Sequence, residues 1–269
     1  MPETATSPDG TMIAFERTGE GPVVVLVGGA FSTRSSGAAF APALADRMTV
    51  VSYDRRGRGD STDASAQPGP GGFAVADTSD RRAAVAREVA DLQSVIDAVG
   101  GQAMLYGHSS GAALALETAA VTPGVRRVAA YEPPYTGNGA ESGPDVGAPV
   151  REALAAGDRD TAARRFLAGI GADPDGMASQ PWWPGMVAIA HTLPYDFALT
   201  DDGPSEAFAD ITARVLLLAG GDSDEWARQA VRDAARHIPE VATRTLAGQT
   251  HNAQDAVLAP VLLEFFLGA

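Results

Sequence analysis

The chain contains no cysteine, and all 20 of its basic residues are arginine. The first absence excludes disulfides, thiolate catalysis and cysteine metal sites. The second excludes lysine nucleophiles and Schiff-base chemistry. Only four histidines are present, so a histidine general base has few places to be. No run approaches the ~20 apolar residues of a membrane span. Met1-Pro2-Glu3-Thr4 opens neither a basic nor an apolar leader, and a cytoplasmic protein is expected. A net charge of −14 repels nucleic acid and anionic membranes, so neither is expected as a partner. No His/Asp/Glu cluster has metal-ligand spacing, and Gly28-Gly29 lacks the G-x-G-x-x-G pattern of a dinucleotide site. No metal and no cofactor is expected.

What remains is a chain of 269 residues, 45% hydrophobic, long enough for one large α/β domain with an insertion. Asp9-Gly10 reads as a hairpin turn before an alternating edge strand, Thr11 to Arg17. Val23-Val24-Val25-Leu26-Val27 is a continuous apolar run, as expected of a strand covered on both faces. Thr49 to Ser52 is a second. Residues 63–79 read as a surface loop. Arg81 to Val99 carries Val85, Val89, Leu92, Val95, Ile96 and Val99 on one helical face. Strands are expected at Val125 to Tyr131, Arg214 to Ala219 and Val241 to Leu246, with helices over about 224–237 and Asn252 to Leu267. Alternating βα units imply a mostly parallel, twisted sheet with helices on both faces. The rhythm breaks after Tyr131. Residues 1–134 and 209–269 are read as the core, and 135–208 as an inserted helical cap.

The chain is organised around Gly107-His108-Ser109-Ser110-Gly111. An apolar strand, Ala103 to Tyr106, precedes it and an alanine-rich helix follows. Strand, G-x-S-x-G turn and helix in succession form a nucleophile elbow. Ser109 sits where a strained turn would lift its hydroxyl above the sheet. Gly107 and Gly111, lacking side chains, let helix and strand pass closely. The N–H of Ser110, at the helix start, faces the space where an oxyanion would form. A second donor belongs after the first buried strand, and the N–H of Ala30 in Gly28-Gly29-Ala30 fits that place.

A serine nucleophile needs a base, and the base needs an acid to orient it. His108 lies inside the elbow, His191 in the inserted region, and His237 at a helix end. His251 follows the last strand, where a base belongs. The acid has two candidate positions. Glu132, at the strand tip before Pro133-Pro134, is the first, and Pro133 predicts an extended backbone there. Asp222 or Asp224, after the Arg214 to Ala219 strand, is the second; both also suit a helix N-cap. Arg55, Arg56 and Arg58 form a basic turn expected to pair with nearby acids such as Asp54 and Asp60. Phe31, beside the oxyanion loop, and Trp182-Trp183 in the cap are candidates for packing over a substrate.

Gly28-Gly29-Ala30, the Asp54-to-Ser61 stretch, the Ser109 elbow and His251 together resemble the α/β-hydrolase superfamily over nearly the whole chain. Many relatives carry His-Gly where Gly28-Gly29 stands here. Placing the acid at Glu132 resembles the zearalenone-type lactonases, which also have a Ser-Ser-Gly elbow and a tryptophan-bearing cap. Haloalkane dehalogenases and epoxide hydrolases share the fold but use an aspartate nucleophile, against which Ser109 argues. The resemblance implies a serine esterase or lactonase acting on a small-molecule ester without a cofactor. A lyase, cyclase or C–C hydrolase on the same scaffold, or a non-catalytic receptor, are the rival readings. The sequence leaves room for a homo-oligomer.

Overall fold

Asp9-Gly10 closes a hairpin. Strand β1 (Glu3–Thr6) pairs antiparallel with β2 (Met12–Thr18), and Ser7 N–H bonds the Thr11 carbonyl at 2.8 Å across the turn. In this computed structural model residues 2–69, 74–135 and 146–268 are described. The valine-rich run forms β3 (Val23–Val27), and Thr49–Tyr53 forms β4. Between them lie two short helices, α1 (Arg34–Phe40) and α2 (Pro42–Ala45). A minor ribbon, β5 (Gln67–Pro68) with β6 (Ala74–Val75), sits within the expected surface loop.

The helix α3 (Arg81–Ala98) begins at Asp80, whose side chain accepts from the Ala83 N–H at 3.1 Å, the usual N-cap arrangement. Then follow β7 (Ala103–His108), α4 (Ser110–Val121) and β8 (Val125–Tyr131). Five helices come next: α5 (Gly147–Ala155), α6 (Arg159–Gly169), α7 (Pro174–Ala178), α8 (Trp183–Ile189) and α9 (Leu193–Thr200). The βα rhythm resumes with β9 (Arg214–Gly220), α10 (Glu225–Ala235), β10 (Val241–Leu246) and α11 (Asp255–Leu267).

The main sheet has eight strands in the order β1-β2-β4-β3-β7-β8-β9-β10. Strands β1 and β2 are antiparallel to their neighbours, and the rest run parallel. One apolar layer joins Val25, Val27 and Leu105 to α3, α4 and α10. The other joins Val24, Leu26 and Leu218 to α1, α2 and α11. The middle of the sheet is thus covered on both faces, which explains why β3 and the body of β9 read as unbroken apolar runs, whereas the edge strand β10 is polar and mostly exposed.

The helices between β8 and β9 divide by what they pack on. Val150, Leu154, Ala163, Leu167, Trp183 and Leu193 form a core of their own. Every residue of α9 is buried, and it packs against α3 and α4. Leu199 and Phe208 join the sheet's core. The later part of the insertion is therefore fixed to the body of the protein rather than free-standing. Among the described residues, no helix is long and apolar enough to cross a membrane.

Candidate active site

The parallel strands β3, β7, β8 and β10 all end at one rim, and the loops leaving them carry the candidate residues, as in open α/β sheets generally. Ser109 stands between β7 and α4 with φ 57 and ψ −131. A non-glycine residue at positive φ is strained and persists only where its surroundings over-determine it. Here the Ser109 N–H bonds the Tyr131 carbonyl at 2.9 Å, while its own carbonyl accepts from Ala112 at 2.8 Å. The flanking glycines are required by contact. A Cβ on Gly107 would lie 2.5 Å from Ala112 Cα, and one on Gly111 would lie 2.2 Å from the Val27 carbonyl oxygen. Neither gap admits a methyl group, so the helix start is pressed onto both β7 and the end of β3.

Three described non-glycine residues have positive φ: Phe31 (58°), Ser109 (57°) and Glu132 (45°). All three belong to the expected site. Glu132 corrects one expectation, since the residue before Pro133 is in the left-handed region rather than extended. Its N–H bonds the Leu218 carbonyl at 3.0 Å, and its carboxylate accepts from the Gly220 N–H at 2.7 Å. Those bonds outweigh the proline's preference. Burial raises the Glu132 carboxyl, but the His251 ring, the neighbouring Ser223 and the Gly220 N–H more than offset it and hold the group below its usual range.

His251 reaches this carboxylate, with Nδ1 2.7 Å from Glu132 Oε2. Asp222 and Asp224 do not reach the imidazole. Both are exposed, and Asp224 occupies the N-cap position of α10 without a side-chain cap bond. The loop bearing His251 is pinned from beneath. His108 Nε2 bonds the His251 carbonyl at 2.8 Å, and the Tyr131 hydroxyl bonds the Thr250 carbonyl at 2.6 Å. Each pinning residue directly precedes a site residue in sequence, Ser109 or Glu132. The His108 and His251 rings lie 4.7 Å apart. No hydrogen bond joins Ser109 Oγ to His251.

The loop after β3 lies against the serine. A Cβ on Gly29 would be 2.8 Å from Ser109 Cβ and 3.4 Å from Oγ. The N–H groups of Ala30 and Ser110 have no hydrogen-bond acceptor among the described residues, which leaves both free to hold an oxyanion. Phe31 meets Phe166 of α6 edge-on at 5.3 Å, and Phe166 meets Phe197 at 6.1 Å. A cavity of about 260 Å³ lies alongside, lined in part by Gly28, Ser32, His108 and Asn252. These are neighbours of the site residues, while Ser109 and His251 do not line it.

Trp183 is buried in the helical unit's own core and donates its indole N–H to Asp160 at 2.7 Å. Trp182 is 48% exposed. The cluster that holds Trp183 is packed against by Ala30 and Phe31 of the loop after β3. The basic turn also differs from expectation in its partners. Asp54 and Asp60 both pair with Arg34. Arg55 pairs with Glu88 and Asp196, Arg56 with Asp91, Asp9 and Asp63, and Arg58 with Asp196. Glu88 and Asp91 were legible as acids interrupting the apolar face of α3. Asp196 carried a weaker signal, a lone acid in the apolar run Leu193-Pro194-Tyr195-Asp196-Phe197.

A family profile described as the alpha/beta hydrolase family matches residues 23–261. The chain belongs to that family. Among solved structures it is 44% identical to an alpha/beta hydrolase from Sphaerobacter thermophilus DSM 20745, with a TM-score of 0.83 over 98% of this chain and 100% of that one. The esterase RhEst1 from Rhodococcus sp. ECU1013 shares the fold at 23% identity, TM-score 0.72, over 99% and 98% of the two chains. A meta-cleavage product hydrolase from Pseudomonas fluorescens IP01 does so at 16% identity, TM-score 0.65, over 98% and 97%. Membership in the α/β-hydrolase family supports a hydrolase. The elbow, the acid after β8 and the imidazole after β10 sit where such a hydrolase can assemble a serine, a base and an acid.

Proposed function

We propose that this protein is a serine hydrolase that cleaves a carboxylic ester or lactone through an acyl-enzyme on Ser109. The observation that carries the reading is the 2.7 Å contact between His251 Nδ1 and Glu132 Oε2, at the same rim as a serine held at φ 57°. Glu132 keeps a proton on Nδ1, which leaves Nε2 as the basic nitrogen. Nε2 takes the Ser109 proton as Oγ attacks the substrate carbonyl carbon. The carbonyl oxygen becomes an oxyanion, held by the N–H groups of Ala30 and Ser110. Collapse of this intermediate expels the alcohol, protonated by His251. His251 then removes a proton from water, whose oxygen attacks the acyl carbon and frees the acid and Ser109. Ser109 Oγ and Nε2 come into hydrogen-bond reach with substrate bound, when such contacts commonly tighten. Phe31 and Phe166 beside the oxyanion loop favour an apolar substituent on the ester.

The test is labelling with a fluorophosphonate, peptide mapping of the adduct, and turnover of a panel of chromogenic esters and lactones with identification of the products. The adduct is expected on Ser109. Ser109→Ala is expected to abolish labelling and reduce turnover by about 10⁴-fold or more. Near-normal ester turnover in that variant, or an adduct on another residue, would falsify the assignment.

A further inference from the structure

The two segments proposed to hold the oxyanion come from different parts of the chain, and one buried carboxylate touches the supports of both. Asp196 of α9 is 3% exposed. Its Oδ1 accepts from the Ser110 hydroxyl at 2.7 Å and from Arg55 Nη1 at 2.6 Å. Its Oδ2 accepts from Arg58 Nη2 at 2.8 Å. Arg58 Nη1 in turn donates to the Gly29 carbonyl at 2.6 Å, and Arg55 Nη1 to the Gly28 carbonyl at 3.3 Å. The Gly29 carbonyl belongs to the peptide unit whose N–H is that of Ala30. Arg58 Nε also reaches Thr192 Oγ1 at 3.0 Å, and Arg55 Nε reaches Glu88 Oε2 at 2.9 Å.

The charges balance. Two guanidinium groups, both 2% exposed or less, face two carboxylates, Asp196 and Glu88, that are also almost wholly buried. Buried charges are tolerated when paired and fully hydrogen-bonded. Planar guanidinium groups hold their acceptors in fixed geometry. A neutral, rigid cluster of this kind has little freedom to relax. It therefore transmits the position of α9 to the peptide units at 29–30 and 109–110.

We propose that Asp196 is a positioning residue for the oxyanion hole, setting the Ser110 N–H through that residue's own hydroxyl and the Ala30 N–H through Arg58 and the Gly29 carbonyl. The inference rests on the serine-hydrolase reading above. Its distinctive content is that a helix of the inserted region, in addition to the sheet, holds the two donors in mutual register. A displaced donor weakens binding of the charged intermediate more than binding of the neutral ester, so the loss falls on kcat rather than KM.

The probe is a trifluoromethyl ketone. Its carbonyl carbon accepts Ser109 Oγ, the serine proton passes to His251, and the ketone oxygen becomes the held oxyanion. Asp196→Asn and Ser110→Ala are compared with the parent protein after fluorophosphonate titration of active sites. Expected are a kcat per titrated site lower by about 10–100-fold, KM within about twofold, and ketone affinity weakened by a similar factor to kcat/KM. A merely structural role would lower the titre and leave ketone affinity per site unchanged, and that result in a folded Asp196→Asn overturns the proposal. If Asp196→Asn does not fold, Ser110→Ala decides by the same criterion, since it removes only the hydroxyl and keeps the backbone N–H. Failure of the parent protein to label at Ser109 would overturn the serine-hydrolase reading itself, and this inference with it.

Discussion

His251 Nδ1 and Glu132 Oε2 meet at 2.7 Å across 119 residues of sequence. Glu132 is 1% exposed, and its second oxygen is engaged by the Gly220 N–H. A buried carboxylate with both oxygens spoken for cannot swing away, so it fixes the imidazole's tautomer and plane.

Glu132→Gln tests that role. The amide keeps size and hydrogen-bonding reach but can present its NH₂ to Nδ1, favouring the wrong tautomer. Ester turnover is expected to fall by about 10³–10⁴-fold, by analogy with neutralising the acid of a serine triad. Asp222→Asn and Asp224→Asn are expected to stay within about twofold of the parent, as neither side chain reaches the imidazole. Steady-state rates of the three variants on one chromogenic ester decide the matter. A large loss confined to an aspartate variant would reassign the acid.

Central strands such as Val23–Val27 and the body of Arg214–Gly220 were legible because both faces are covered and the strand carries an unbroken apolar run. Val23–Val27, Val125–Tyr131 and Val241–Leu246 fall where their sequence places them. Helix α1 was not legible. Arg-Ser-Ser-Gly-Ala-Ala-Phe buries only Phe40 and shows no 3.6-residue stripe. The placement of Ser109 and His251 followed from the order of elements along the chain. The backbone of Glu132 did not, because its left-handed conformation is imposed by Leu218 and Gly220, which lie far off in sequence. The partners of Arg55 and Arg58 were misjudged for the same reason: local acids were at hand, but Asp196, 138 residues from Arg58, is the one that packing delivers.

Glu117 on α4 supplies a stability prediction. Burial raises its carboxyl to about 7, against the opposing charge of Arg81 and a contact from Ser205. Tyr135 also faces it, its phenol pushed up by burial and by the Glu117 charge. A carboxyl raised in the folded state binds its proton more tightly there than in the unfolded chain. Stability from this group is therefore full below about pH 4.5 and is lost as pH rises toward 7. Glu117→Gln, which cannot ionise, is expected to raise the melting temperature at pH 8 while leaving it nearly unchanged at pH 4.5. Thermal melts of both proteins across this range check it. An equal shift at both pH values would mean that packing rather than ionisation is responsible.

His108 offers the last prediction. Its Nε2 faces the His251 carbonyl at 2.8 Å, and a carbonyl oxygen only accepts. Nε2 must therefore carry the proton. Burial lowers the His108 imidazolium to about 4, helped by the neighbouring His251 ring, so the ring is largely neutral over pH 5–8. Its work is to hold the backbone of residue 251. His108→Ala removes the tether and is expected to lower kcat on a chromogenic ester about 10-fold or more with little change in KM, since a small misplacement of the base acts on the reacting geometry. His108→Gln restores an N–H donor at similar reach and is expected to recover part of that loss. Because a ring lowered to about 4 is largely neutral from about pH 5 upward, neither variant should move the acidic limb of the kcat/KM profile in the pH 5–8 range. A limb displaced in His108→Gln would show that the ring titrates in step with catalysis, and the tether account would then be wrong.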